Sequence, residues 1–282
     1  MRPVDSQIKH ELDTHIETIG AELNADVVAI VSPIVPGLDL RIRDAIDKLS
    51  EKKNSIAVIL DTPGGIVEVV ERIVTTLRWA FDEVAVIVPD RAMSAGTIFA
   101  LSADRIMMDY FSCLGPIDPQ IEKDGKLVPA LSYLNQFERL NKKAATNDLS
   151  TAEYALLSKL DLGELYQFEQ ARELSVELLV KWLSTYKFKG WTNTETRKKP
   201  VTDEMKVTRA QEIADLLNET SRWHSHARGI DIRTLRDEVG LQIEDLSANS
   251  RLYQYVKLYF ELLKDYMSRE QLFSFVHTRG YF

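Results

Sequence analysis

Between residues 25 and 130 the chain alternates short β-branched runs with amphipathic stretches, and this alternation narrows the possible folds sharply. The run "DVVAIVSPIV" from Asp26 reads as a buried strand ended by Pro and Gly, and "LDLRIRDAIDKLSEKKN" then repeats Leu38, Ile42, Ala45, Ile46 and Leu49 at helical spacing. The pattern recurs. "SIAVILDTPGG" is a strand running into a glycine turn, and "IVEVVERIVTTLRWAF" puts Ile66, Val69, Val70, Ile73 and Leu77 on one helical face. "EVAVIVP" and "RIMMD" supply a third and a fourth strand around the short segment "SAGTIFALSAD". Uncharged strands separated by amphipathic helices predict parallel β/α units with a sheet buried on both faces.

The flanking segments differ in character. Residues 1–24 are a polar, weakly amphipathic helical lead-in, residues 25–130 the α/β core, and residues 131–282 a helical region expected to pack on that core. Within the last, "SYLNQFERLNKKA" and the stretch from Thr151 to Phe188 carry helical periodicity. Capping boxes at Ser150–Glu153, Thr208–Gln211 and Ser268–Gln271 are read as helix starts. "KGWTNTETRKKPVTDEM" reads as a loop. The tyrosine- and leucine-rich "LYQYVKLYFELL" is an apolar stripe that fits either core or a subunit contact, and His10, His15 and His277 are assigned to terminal helices.

Composition excludes several function classes. A formal net charge of −8, with "RKK" at Arg197–Lys199 as the only basic cluster, argues against binding nucleic acid through its phosphates. The apolar run from Val27 to Leu38 is interrupted by Pro33, Pro36 and Gly37 and is too short to span a bilayer. The lone Cys113 cannot form an internal disulfide, and the Met1 end lacks a secretory signature, so a cytoplasmic location is expected.

Ligands of open α/β sheets bind beyond the carboxyl ends of the strands, and two such ends here carry unusual residues. In "LDTPGG", Gly64 and Gly65 leave a strand and enter a helix, so their N–H groups are available to an anion. In "DRAMSAG", small residues surround Ser94 at a second strand-to-helix turn. A hydroxyl beside free N–H donors from Gly65 and Ala95 is what acyl transfer requires. The same serine would also serve as an ordinary helix N-cap, with the glycines merely turning the chain.

The segment from Leu60 to Gln120, "LDTPGG … VPDRAMSAGTIFALSADRIMMDYFSCLGPIDPQ", resembles the serine dehydrogenase proteinase family of the ClpP/crotonase superfamily, relatives of signal peptide peptidase A. The later "RWHSHARGIDIRTLRDEVGLQIEDL" extends the likeness to Leu246. The resemblance implies an α/β fold, a ClpP/crotonase-like spiral of β/β/α units with an α-helical C-terminal extension. It implies a serine peptidase with Ser94 as nucleophile and an oxyanion hole from Gly64, Gly65 and Ala95, a peptide or protein substrate, and a homo-oligomer. It requires no cofactor and no metal, and no GxGxxG dinucleotide loop is present.

The general base is the departure from the pattern. Where Clp protease-like enzymes carry a histidine the turn reads "LGPIDPQ", with Asp118, and where Ser-Lys relatives carry a lysine "LVPALSYLNQ" has none. Lys142, Lys143, Asp118 and His226 remain as candidates, with Lys123 and Lys126 in an expected hairpin; only a neutral amine could accept the proton. The alternatives are a catalytically weak or inactive scaffold for peptide binding or assembly and acyl-CoA chemistry on the crotonase fold.

Overall fold

A computed structural model describes residues 2–118, 120–123, 126–194 and 198–282. In chain order its elements are α1 (Pro3–Leu23), β1 (Asp26–Val31), α2 (Leu38–Asp47), β2 (Ser55–Asp61), α3 (Val67–Ala80), β3 (Glu83–Val88), β4 (Arg91–Ala92), α4 (Ala95–Leu101), β5 (Arg105–Met108) and β6 (Cys113–Leu114). There follow β7 (Gln120–Lys123), β8 (Lys126–Pro129), α5 (Ala130–Ala145), α6 (Thr151–Leu157), α7 (Leu162–Trp182), α8 (Asp203–Asn218) and α9 (Thr220–Trp223). The chain closes with β9 (Ile230–Asp231), α10 (Ile232–Asp237), β10 (Glu244–Asp245), α11 (Ser250–Arg269) and β11 (Phe275–Thr278).

The main sheet has the order β10-β5-β3-β2-β1-β11. Its neighbours run parallel except at the edge, where β11 returns antiparallel to β1. Because strand side chains alternate between faces, the sequence of each strand is divided between two cores. Val28, Ile30, Ile56, Val58 and Leu60 face the layer built from α2, α3, α4, α7 and α8. Val27, Ala29, Val31, Ala57 and Ile59 face α1 and α11. Each fully buried Ile or Leu contributes about 2 kcal/mol, so this two-sided burial is what the uncharged strands are for.

A second, small sheet of β4, β6 and β9 adjoins the carboxyl end of β2 through a parallel bridge between Thr62 and Ala92. It carries the segment that places Ser94. The β7–β8 hairpin lies where one was expected, with Lys123 opposite Lys126; their side chains, like Arg197, lie outside the described residues.

Some of these expectations hold and others are corrected. Ser150 does open a helix, accepting from Glu153 N in a complete capping box. Thr208, however, lies inside α8, whose N-cap is Thr202, and Ser268 lies in the last turn of α11, whose N-cap is Asn249. The Ser/Thr-x-x-Gln spelling caps only where the preceding chain leaves helical geometry. The "LYQYVKLYFELL" stripe is core: Leu252, Val256, Tyr259 and Leu263 are buried, in the cluster that also holds Leu12, Ile16 and Ile19 of α1. His277 sits on strand β11, not on a helix. Among the described residues no helix is long and apolar enough to cross a membrane.

Candidate functional site

The glycines of "TPGG" are required by their neighbours. Ile34 N donates to Gly64 O at 2.9 Å and Ile66 N to Ile34 O at 2.9 Å, which clamps the turn against the loop after β1. Gly65 has φ +149°, and a Cβ there would stand 2.1 Å from Ile34 O; at Gly64, with φ +99°, it would stand 2.6 Å from Met93 O. Neither position admits a side chain. Thr62 is joined to the second turn by Thr62 N to Arg91 O, 2.9 Å, and Met93 N to Thr62 O, 3.1 Å. The two strand ends singled out in the sequence are thus hydrogen-bonded to one another.

Ser94 occupies a corner that glycine usually takes. Its φ of 52° and ψ of −114° belong to the first corner of a type II′ turn, which Gly96 N closes by donating to Met93 O at 2.8 Å. A β-carbon in that region costs about 1–3 kcal/mol. The side chain does not cap α4. Its Oγ donates instead to the backbone carbonyl of Asp118 at 3.1 Å, and the residue is 2% exposed. Of the anticipated N–H donors, Gly64 N is bonded to Thr62 Oγ1 at 3.1 Å. The amides of Gly65 and Ala95 have no acceptor among the described residues.

Asp118, 3% exposed, joins three parts of the site. Its carbonyl accepts from Ser94, its Oδ1 accepts from Leu131 N at 3.1 Å in the first turn of α5, and its Oδ2 lies 3.6 Å from His226 Nδ1. His226, in the loop before β9, is partly exposed. The structure therefore links Ser94 and His226 through Asp118, although neither Asp118 nor His226 is among the residues that line the cleft holding Ser94. Of the candidate lysines whose side chains are described, Lys142 pairs with Glu138 at 2.8 Å and Lys143 with Glu153 at 2.7 Å, on the outside of α5. Lys187 escaped the sequence reading. Burial pushes its ammonium down to about 8, and it donates to Asp104 O at 3.3 Å, but it does not line the cleft that holds Ser94. Nothing in its amphipathic surroundings distinguished it from a surface lysine.

Gly65, Ser94 and Ala95 line one cleft of about 650 Å³ between the strand ends and α7. That volume is in the range of small-ligand and peptide sites. The apolar floor comes from Ile98 and Ile117, and the far wall is the polar flank of α7. A hydroxyl, two unengaged amides and a cleft open to solvent are the parts needed to admit a carbonyl and stabilise an oxyanion formed from it.

Residues 39–189 match the family described as ClpP-like SDH-type serine proteinase, so the match begins earlier than the "TPGG" turn and ends before the "RWHSHARGIDIR" segment. Two curated relatives are uncharacterized proteins of Methanocaldococcus jannaschii. MJ0137 is 34% identical over 151 residues, 49% of this chain and 51% of that protein. MJ1495 is 31% identical over 142 residues, 46% of each. The chain spans about half the length of the curated relatives it matches. Among solved structures, two forms of the 1510-N membrane-bound stomatin-specific protease are similar. A serine-to-alanine mutant has TM-score 0.44 and 13% identity, covering 80% of this chain and 82% of that one. A lysine-to-alanine mutant in complex with a substrate peptide has TM-score 0.42 and 15% identity, covering 77% and 73%.

Proposed function

The chain belongs to the ClpP-like SDH-type serine proteinase family, and from that premise we propose that it is a serine peptidase acting through Ser94, with the amides of Gly65 and Ala95 as its oxyanion hole. One observation carries the reading: Ser94 is held in a left-handed corner, in the same cleft as two backbone N–H groups that have no acceptor among the described residues. A fold tolerates such a corner at a non-glycine residue only where the surrounding structure imposes it, and such residues cluster at active sites.

For the proton, the geometry favours His226 and Asp118 over Lys142 and Lys143. Asp118 Oδ2 lies 3.6 Å from His226 Nδ1, and the Ser94 hydroxyl is bonded to the same aspartate's main chain. On substrate entry the hydroxyl leaves the Asp118 carbonyl, its oxygen attacks the peptide carbonyl, and its proton passes to His226. The oxyanion is held by Gly65 and Ala95, each such donor being worth about 3 kcal/mol. Collapse breaks the C–N bond, and the His226 proton goes to the leaving amine. Water then hydrolyses the acyl ester and regenerates Ser94.

A catalytically weak scaffold that binds peptides is the competing reading, favoured by the Ser94 hydroxyl donating to a carbonyl that cannot take its proton. Labelling by a fluorophosphonate separates the two. The peptidase reading expects labelling of the native chain that falls by a factor of roughly 1,000 in Ser94→Ala; equal labelling of both proteins at every pH defeats it.

A further inference from the structure

We propose that this cleft selects peptides with a cationic side chain beside the scissile bond, an inference that rests on the peptidase reading above and names the substrate class for it. The cleft is bounded by carboxylates on both sides. Glu68 stands in the first turn of α3, and Glu173 and Glu177 stand on α7 opposite; no Lys, Arg or His is among the lining residues.

Many carboxylates of the chain lie outside any ion pair; what distinguishes these three is that they line one cleft with no basic side chain among its lining residues. Around them the helical layers pair their charges: Arg72 with Asp39 at 3.0 Å, Lys142 with Glu138, Lys143 with Glu153. Among the described residues Glu68, Glu173 and Glu177 form no ion pair. Glu173 and Glu177 are also separated by one helical turn, a like-charge spacing that destabilises a helix and that a bound cation would relieve. Arg172, the neighbouring cation on α7, is not among the residues that line the cleft.

Two further features suit a guanidinium or ammonium group. Gln170 Nε2 donates to Glu173 Oε2 at 3.1 Å, which fixes that carboxylate without neutralising it. Tyr166, one turn earlier on the same wall, leaves its ring largely exposed, offering a π face to a cation that enters between it and the glutamates. With Ser94, Gly65 and Ala95 at the base, a peptide whose carbonyl sits over the hydroxyl would place an adjacent side chain against this wall.

The test uses quenched fluorogenic peptides of one length and one apolar framework, with Arg, Gln or Glu next to the cleavable bond. The native chain should cleave the Arg peptide with kcat/KM roughly tenfold above the Gln peptide and further above the Glu peptide, the gap narrowing as salt is raised. In the triple variant Glu68→Gln, Glu173→Gln, Glu177→Gln the ratio between Arg and Glu peptides should collapse toward unity. A ratio measured on one protein is independent of how much of it is folded. Equal cleavage of the three peptides, or a preference that survives the triple variant, overturns the inference while leaving the peptidase reading intact. If no peptide is cleaved, anisotropy of the same labelled peptides on Ser94→Ala decides. Tighter binding of the Arg peptide, lost in the triple variant, upholds the cationic selectivity although the peptidase reading falls, and equal binding overturns it.

Discussion

Among the described residues, two places link a hydroxyl and a histidine through an aspartate or directly to one another, and the better connected of the two does not involve the cleft. At the sheet edge Tyr259 OH and His277 Nδ1 are 2.9 Å apart, and His277 Nε2 is 3.1 Å from Asp13 Oδ1, joining α11, β11 and α1. His277 is wholly buried, and burial pushes its imidazolium down to about 4 and the Tyr259 phenol up. At the cleft the contacts are looser: Ser94 reaches only the main chain of Asp118, and His226 stands 3.6 Å from the Asp118 carboxylate and is partly exposed. The difference separates two uses of the same chemistry. A network with every partner bonded and no opening to a cleft locks three elements together. A looser set with a strained serine beside unengaged amides can exchange its partners for a substrate.

Exchanging the two histidines' fates would break this contrast most completely. His226→Gln should lower the rate of Ser94-dependent labelling by about 100-fold or more while moving stability by less than about 0.5 kcal/mol. His277→Leu, which leaves Tyr259 and Asp13 without their buried partner, should cost about 3 kcal/mol in urea titration and leave labelling of the folded fraction unchanged. Normal labelling by His226→Gln would remove it from the mechanism. A stable His277→Leu protein would deny the edge network its structural role.

The pH dependence of stability sharpens the same comparison with a smaller effect. His277 titrates at about 4 when folded against an ordinary value of 6.5, so between those limits the unfolded chain binds the extra proton. The histidine's contribution is therefore constant above about pH 6.5, declines as pH falls to about 4, and is flat below, a total of about 3 kcal/mol. His277→Gln keeps a donor and an acceptor without titrating. The difference in unfolding free energy between the native chain and this variant should follow that window; a difference independent of pH would contradict it.

How much of this was legible depended on whether a feature is local. The parallel units were written in the alternation of "DVVAIV", "SIAVILD" and "EVAVIV" with helical stripes, because strands buried on both faces need uncharged runs and their crossovers need one apolar face. Ser94, Gly65 and Ala95 were legible for a similar reason: small residues at strand ends mark close backbone approach. The pairing of Asp118 with His226 was not, since the two are far apart in sequence and meet only when β9 joins β6. Strand β11 was missed because "FSFVHT" follows a helix and pairs with β1 from the other end of the chain, so no local pattern announces it. The false helix starts at Thr208 and Ser268 show the converse error, a local spelling whose meaning depends on backbone geometry that the spelling does not contain.

The smallest expected effect concerns strain itself, which distinguishes the cleft from the edge. If the corner at Ser94 is imposed by the hydrogen bonds that join Thr62, Arg91 and Met93, removing the β-carbon should relax it, whereas removing only the hydroxyl should not. Ser94→Gly is then more stable than Ser94→Ala by about 1 kcal/mol, part of the relief being offset by the greater freedom of glycine in the unfolded chain. In a domain of this size that is a rise of roughly 2 °C in melting temperature, readable by calorimetry on the two variants side by side. Both variants lack the hydroxyl and its bond to the Asp118 carbonyl, so the comparison isolates the backbone. Equal melting temperatures would mean that the left-handed corner costs nothing, and the case for Ser94 would then depend on the unengaged amides of Gly65 and Ala95 alone.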